Sequence, residues 1–127
     1  MKGYKVVNHV NKNLFSVMSL VQDISDSFNG VMQYKANKNT AKLPNNGPLA
    51  VFSNLRKAKK FVAQTKINFS NSTFDLQIYQ CTYRRSEDNH LWMHWVGDDG
   101  GKWIKDSSNL PEGTKFADSV VLRKRVM

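Results

Sequence analysis

Residues 49–65 read LAVFSNLRKAKKFVAQT, and this stretch decides the fold class. Leu49-Ala50-Val51-Phe52 is a short apolar run of strand length. Ser53 or Asn54 can then accept hydrogen bonds from the free amides of a following helix. Leu55, Ala58, Phe61, Val62 and Thr65 recur at three- and four-residue steps, so they share one side of that helix. Arg56, Lys57, Lys59, Lys60, Ala63 and Gln64 occupy the rest of its surface. A buried strand leading straight into an amphipathic helix over about 54–65 predicts an α+β domain.

Upstream, Tyr4-Lys5-Val6-Val7-Asn8-His9-Val10 is rich in β-branched residues and reads as a strand. Asn11-Lys12-Asn13 is turn material, and residues 14–21 read as a second strand completing a hairpin. Residues 31–35 form a third strand, and residues 36–48, ANKNTAKLPNNGP, read as loop. Downstream, residues 76–83 and 91–96 read as strands of aromatic and β-branched character. The turn at 97–101 joins the second of these to Lys102-Trp103-Ile104 as a hairpin, because glycine supplies the positive φ such turns need. A further turn at 110–114 leads to a closing strand at 119–126. The expectation is a compact single domain spanning residues 1–127, mainly an antiparallel sheet of about seven or eight short strands with one main helix.

The chain has 127 residues, the usual size of one domain, and buries about two thirds of its unfolded surface. Cys81 is the single cysteine, which excludes an internal disulfide and a zinc site built from several thiolates. No stretch reaches the length of about 18 apolar residues that spans a membrane. Met1 to Val6 contains no apolar run of signal-peptide length. The expected setting is therefore the cytoplasm, that of an infected cell included, or a virion, with no membrane partner.

The formal charge is +9, and it is unevenly spread. Residues 1–66 hold 11 Lys or Arg against two acids, Asp23 and Asp26, whereas residues 67–127 hold eight of each sign. The whole excess lies in the first half. Such asymmetry points to a polyanion or an acidic protein surface as partner. The sharpest concentration is Arg56, Lys57, Lys59, Lys60 and Lys66, with no acid between 55 and 66. Arg56 and Lys60 repel each other at four-residue spacing, and cations near a helix N-terminus oppose its dipole. A binding footprint explains this pattern, and a solvated face that keeps a basic chain soluble explains it equally.

Arg123, Lys124 and Arg125 form a second basic cluster. Strand alternation puts Arg123 and Arg125 on one face and Lys124 on the other, and cations on an edge strand also discourage edge pairing. Trp92, Trp95 and Trp103 lie close to His90 and His94 in sequence. Core packing accounts for most such aromatics, but a wet face would make Trp92 a stacking platform for nucleic-acid bases. His90 and His94 suit a metal only on a helix; on a strand they stand about 13 Å apart. No metal and no cofactor is expected. Asp98-Asp99-Gly100-Gly101 lacks the spaced oxygen ligands and closing Glu of a calcium loop. Neither a phosphate-binding Gly-rich loop nor a nucleophile elbow occurs, so no catalytic residue is assigned.

Sparse pieces across most of the chain resemble one family. They are Tyr4-Lys5-Val6-Val7, Leu14-Phe15-Ser16, Tyr34-Lys35, Pro48-Leu49-Ala50-Val51-Phe52, Leu55, Ala58 and Phe61. The close, Leu110-Pro111-Glu112-Gly113-Thr114 to Ala117-Asp118-Ser119-Val120, completes the pattern. It is similar to a loosely defined family of small phage, bacterial and large-DNA-virus proteins. The resemblance implies a viral or mobile-element source and transfers no catalytic residue. Three expectations remain open. One is a non-enzymatic viral accessory or virion-associated protein that binds an acidic capsid or host protein through the basic helix. Another is direct nucleic-acid binding with Trp92. The last is an enzyme with a dispersed site.

Overall fold

The computed structural model describes residues 1–16, 33–42, 48–68, 70, 74–87, 90–95, 101–106 and 111–127, with the backbone alone for 90–95 and 101–106. Strand β1 (Lys2–Val10) is enclosed on both sides: Gly3, Lys5 and Val7 are buried on one face, Val6 and Asn8 on the other. Asn11 and Lys12 both take positive φ, 49° and 69°. They form a two-residue turn that pairs Val10 with Asn13 at the start of β2 (Asn13–Ser16). Such turns match the right-handed twist of the flanking strands, and Asn tolerates the left-handed region better than most residues. The short β3 (Gln33–Tyr34) extends the sheet beyond β2.

The remaining elements are β4 (Asn39–Ala41), β5 (Leu49–Phe52), α1 (Leu55–Asn68), β6 (Leu76–Arg85), β7 (His90–Trp95), β8 (Gly101–Asp106) and β9 (Thr114–Arg125). Seven strands form one sheet, in the order β3-β2-β1-β5-β9-β4, with β6 joining both β1 and β9. Every strand pair described is antiparallel. Because β1 also meets β5 at Tyr4–Phe52, the strands β1, β5, β9 and β6 close into a ring. The β1–β6 side of that ring is long, running from Lys2–Thr82 to Asn8–Leu76, whereas the β1–β5 side is a single pair. β7 and β8 form a separate two-stranded hairpin.

Two apolar clusters follow from strand alternation. The ring's interior holds Val7, Leu49, Val51, Cys81, Tyr83, Ala117, Val120 and Leu122, continued by Leu14 and Tyr34. The outer face of β1, β5 and β6 presents Val6, Phe52, Leu76 and Ile78, and α1 covers them with Ala58 and Val62. Leu55 and Phe61 pack at the margin of this second cluster. Ala58 is fully enclosed, so its small side chain lets the helix axis approach the sheet closely. The Phe52 and Phe61 rings meet at 5.2 Å with a 38° tilt, a contact worth about 0.5–1.5 kcal/mol beyond its buried area.

The α+β class, the mainly antiparallel sheet and, among the described residues, the single helix match the expectation. Three local readings change. The helix runs on to Asn68, beyond the expected end at Thr65. Residues 39–41, expected as loop, form β4, because β9 supplies the hydrogen-bonding partners Ser119 to Val121 to a segment with no apolar pattern of its own. The closing strand starts at Thr114 instead of Ser119, since β5 pairs with its first four residues. The expected strand at 17–21 and the turn at 97–100 lie outside the described residues.

Gly3 lies where the ring is tightest. A Cβ there would stand 2.8 Å from the Phe52 carbonyl oxygen and 2.9 Å from the Tyr83 ring. Gly3→Ala must therefore push β1 away from β5 or displace Tyr83. The expected cost is about 1–3 kcal/mol, as for overpacking in general. It is read as a lower urea midpoint at unchanged slope, and an unaltered midpoint would show that the seam has slack.

Candidate functional site

Helix α1 begins with a side-chain cap. The Lys57 amide donates to Asn54 Oδ1 at 2.9 Å, and the Ala58 amide donates to the Asn54 carbonyl at 3.2 Å. This cap offsets a first turn that contains no acid and two cations. Leu55, Ala58, Phe61, Val62 and Thr65 face the sheet, as their spacing requires. Arg56, Lys59, Lys60, Ala63, Lys66 and Ile67 follow one another at three- and four-residue steps along the outer side, and all six are exposed. Among the described residues, no carboxylate lies within 4.0 Å of Arg56, Lys59, Lys60 or Lys66. Ile67 is 70% exposed, so an apolar spot sits within the cationic stripe.

Lys57 departs from the expected group. Its ammonium lies 3.3 Å from a Glu112 carboxylate oxygen, and its side chain is only 29% exposed. Its stem runs across Gly113, where a Cβ would overlap it and where φ is +86°. Lys57 therefore helps fasten the 111–114 turn to the helix. The pair itself contributes at most about 1 kcal/mol, since Glu112 is largely in water.

Arg123, Lys124 and Arg125 are all exposed, and the expected alternation fails there. β6 pairs Gln80 with Lys124 but Cys81 with Leu122, so Arg123 is the additional residue of a bulge. Nor is β9 simply an edge strand: it pairs with β4, β5 and β6, and one side lacks a strand partner only at its two ends, over 114–116 and beyond Val121. Arg125 Nε donates to the Met127 carbonyl at 3.4 Å. The aromatic hairpin forms as expected, with Trp92 opposite Ile104 and His90 opposite Asp106. The side chain of Trp92, whose exposure decides the stacking idea, lies outside the described residues. His90 and His94 sit on a strand, and no group of three or more His, Cys, Asp or Glu suited to a metal occurs among the described residues.

The most unusual polar group is one that the sequence concealed. Lys5 is 6% exposed, on the interior face of β1. Its ammonium donates to the Ala50 carbonyl at 2.6 Å and stands 5.2 Å from the centre of the Tyr34 ring. Burial pulls its pKa down to about 8, a drop that the neighbouring Cys81 partly opposes. The Tyr34 hydroxyl has no hydrogen-bond partner among the described residues, and burial pushes its pKa upward. Burial likewise pushes the Cys81 thiol up to about 11, which keeps it protonated and a poor nucleophile at neutral pH. Strand composition alone could not reveal Lys5, because a lysine within a β-rich run normally projects into water. Elsewhere, Asp118 meets the Lys42 ammonium at 3.0 Å. Hydrogen bonds from Lys42, then from Ser86, hold its carboxyl below the usual range.

No family model, no curated protein and no solved structure matches the chain.

The buried lysine makes stability depend on alkaline pH. The folded chain releases the Lys5 proton near pH 8, whereas the unfolded chain keeps it to about 10.5. Between these values the unfolded state binds more protons, so stability rises with pH. Cys81 acts in the opposite sense from about pH 9 to 11, because the folded thiol stays protonated. The expected profile climbs between pH 8 and 9, by at most about 1.4 kcal/mol for one proton per pH unit, and then flattens. Urea titrations should show this climb in the native chain and not in Lys5→Met; equal slopes in both would assign the proton to another group.

Proposed function

We propose that the chain is a non-enzymatic binding protein that docks on an acidic protein surface through the outer side of α1. The observation that carries this reading is the stripe of Arg56, Lys59, Lys60 and Lys66, exposed and without a carboxylate partner among the described residues. A solvated helix normally mixes signs so that neighbours at three- and four-residue steps attract. Here the cations repel one another, and a negative surface would relieve that repulsion. Ile67, exposed within the same stripe, favours a protein over a phosphate backbone, because interface cores carry apolar contacts that a nucleic-acid backbone does not offer. The resemblance of the sparse sequence pieces to small phage, bacterial and large-DNA-virus proteins supports a capsid or host protein as the partner class, met in an infected cell or in a virion.

The test uses polyglutamate resin as the acidic probe. The triple variant Lys59→Glu/Lys60→Glu/Lys66→Glu should lose salt-dependent retention, while Lys124→Glu shifts elution only slightly. Full retention of the triple variant would remove α1 as the footprint. Binding to duplex DNA with a steep salt slope, and none to polyglutamate, would replace the proposal by nucleic-acid recognition.

A further inference from the structure

The interior rows of the ring change character at one end. Along β9 the inward positions run Leu122, Val120 and Ala117, and then reach Lys115, which pairs with the fully buried Val51. Along β6 they run Cys81 and Tyr83 and then reach Arg85, which pairs with Ala117. Apolar filling thus gives way to two cations at the mouth. Both continue the inner face, and strand geometry places such diagonal neighbours about 7–8 Å apart. Among the described residues neither has a carboxylate within 4.0 Å.

These cations line a groove of about 730 Å3. That volume lies within the range of about 300–1,000 Å3 usual for small-molecule sites, and barrel mouths are a common place for them. Tyr83, from the interior cluster, also lines it, and Phe116 borders it between Lys115 and Ala117. The frame is held by main-chain bonds: the Ser86 amide donates to the Phe116 carbonyl at 2.9 Å, and the Tyr83 amide donates to the Met1 carbonyl at 2.8 Å. Glu87 also lines the groove, leaving the side chains there with a net positive charge. A ligand suited to this lining carries an oxyanion for Arg85 and Lys115 and an apolar or aromatic body for the walls. We propose that the mouth of the ring binds a small organic anion of this kind, a carboxylate or a phosphate monoester, at a site separate from the outer side of α1.

Phenyl phosphate, benzoate, inorganic phosphate and benzamidine serve as probes in amide chemical-shift titrations of the full chain. Saturable shifts at Ser86, Glu87, Lys115 and Phe116 with phenyl phosphate or benzoate are expected, and the tighter of the two identifies the acid. Inorganic phosphate should bind at least tenfold more weakly, and benzamidine should leave these amides unmoved. Arg85→Gln/Lys115→Gln should weaken binding at least tenfold at unchanged thermal midpoint. Glu87→Gln should tighten it, a readout that loss of folding cannot mimic. Shifts confined to α1, equal binding of inorganic phosphate, or no effect of either variant would overturn the proposal.

Discussion

One ammonium group sits where the fold is thinnest. The ring of β1, β5, β9 and β6 is zipped firmly on three sides, but β1 and β5 share only the Tyr4–Phe52 pair. Lys5 spans that weak side by donating to the Ala50 carbonyl. Its charge is costly in an apolar interior, and the face of Tyr34 compensates only in part. The arrangement exchanges solvation of one cation for closure of the sheet. Gly3 serves the same end sterically, by leaving room for the Phe52 carbonyl and the Tyr83 ring.

With the ring closed, the chain divides its charges by position. Those needed for structure are paired or buried: Lys42 with Asp118, Lys57 with Glu112, Lys5 inside. Arg56, Lys59, Lys60 and Lys66 lie outside this set, on a helix whose opposite side is anchored by Ala58 and Val62. Because α1 is fixed to β1, β5 and β6, its outer cations are displayed on a rigid support. A rigid display lowers the entropy lost on docking.

The helix was legible because its signals are local. Asn54, the apolar spacing from Leu55 to Thr65 and the preceding Leu49–Phe52 run each act within a few residues. β1 and the aromatic hairpin were legible for the same reason. What escaped depends on partners distant in sequence. β4 exists because β9 offers it hydrogen bonds, Arg123 is displaced by a bulge against β6, and Lys57 is drawn aside by the sequence-distant Glu112. Ring closure escaped too, since no pattern within β1 or β5 announces a single pairing between them. Lys5 was hidden by its type: only the enclosure of both faces of β1 makes an interior lysine intelligible.

The connectivity of β9 has a consequence for assembly during synthesis. This strand is the last to leave the ribosome among the described elements, yet it pairs with β4, β5 and β6. Until it arrives, the inward residues Leu49, Val51 and Cys81 have no lid on the β9 side. A nascent chain can dock α1 and zip β1 against β6 early, but it carries an open apolar trough until β9 is made. Long-range pairings of this kind fold slowly and expose sticky surface meanwhile. The excess of positive charge in residues 1–66 makes such half-built chains repel one another, which opposes their aggregation.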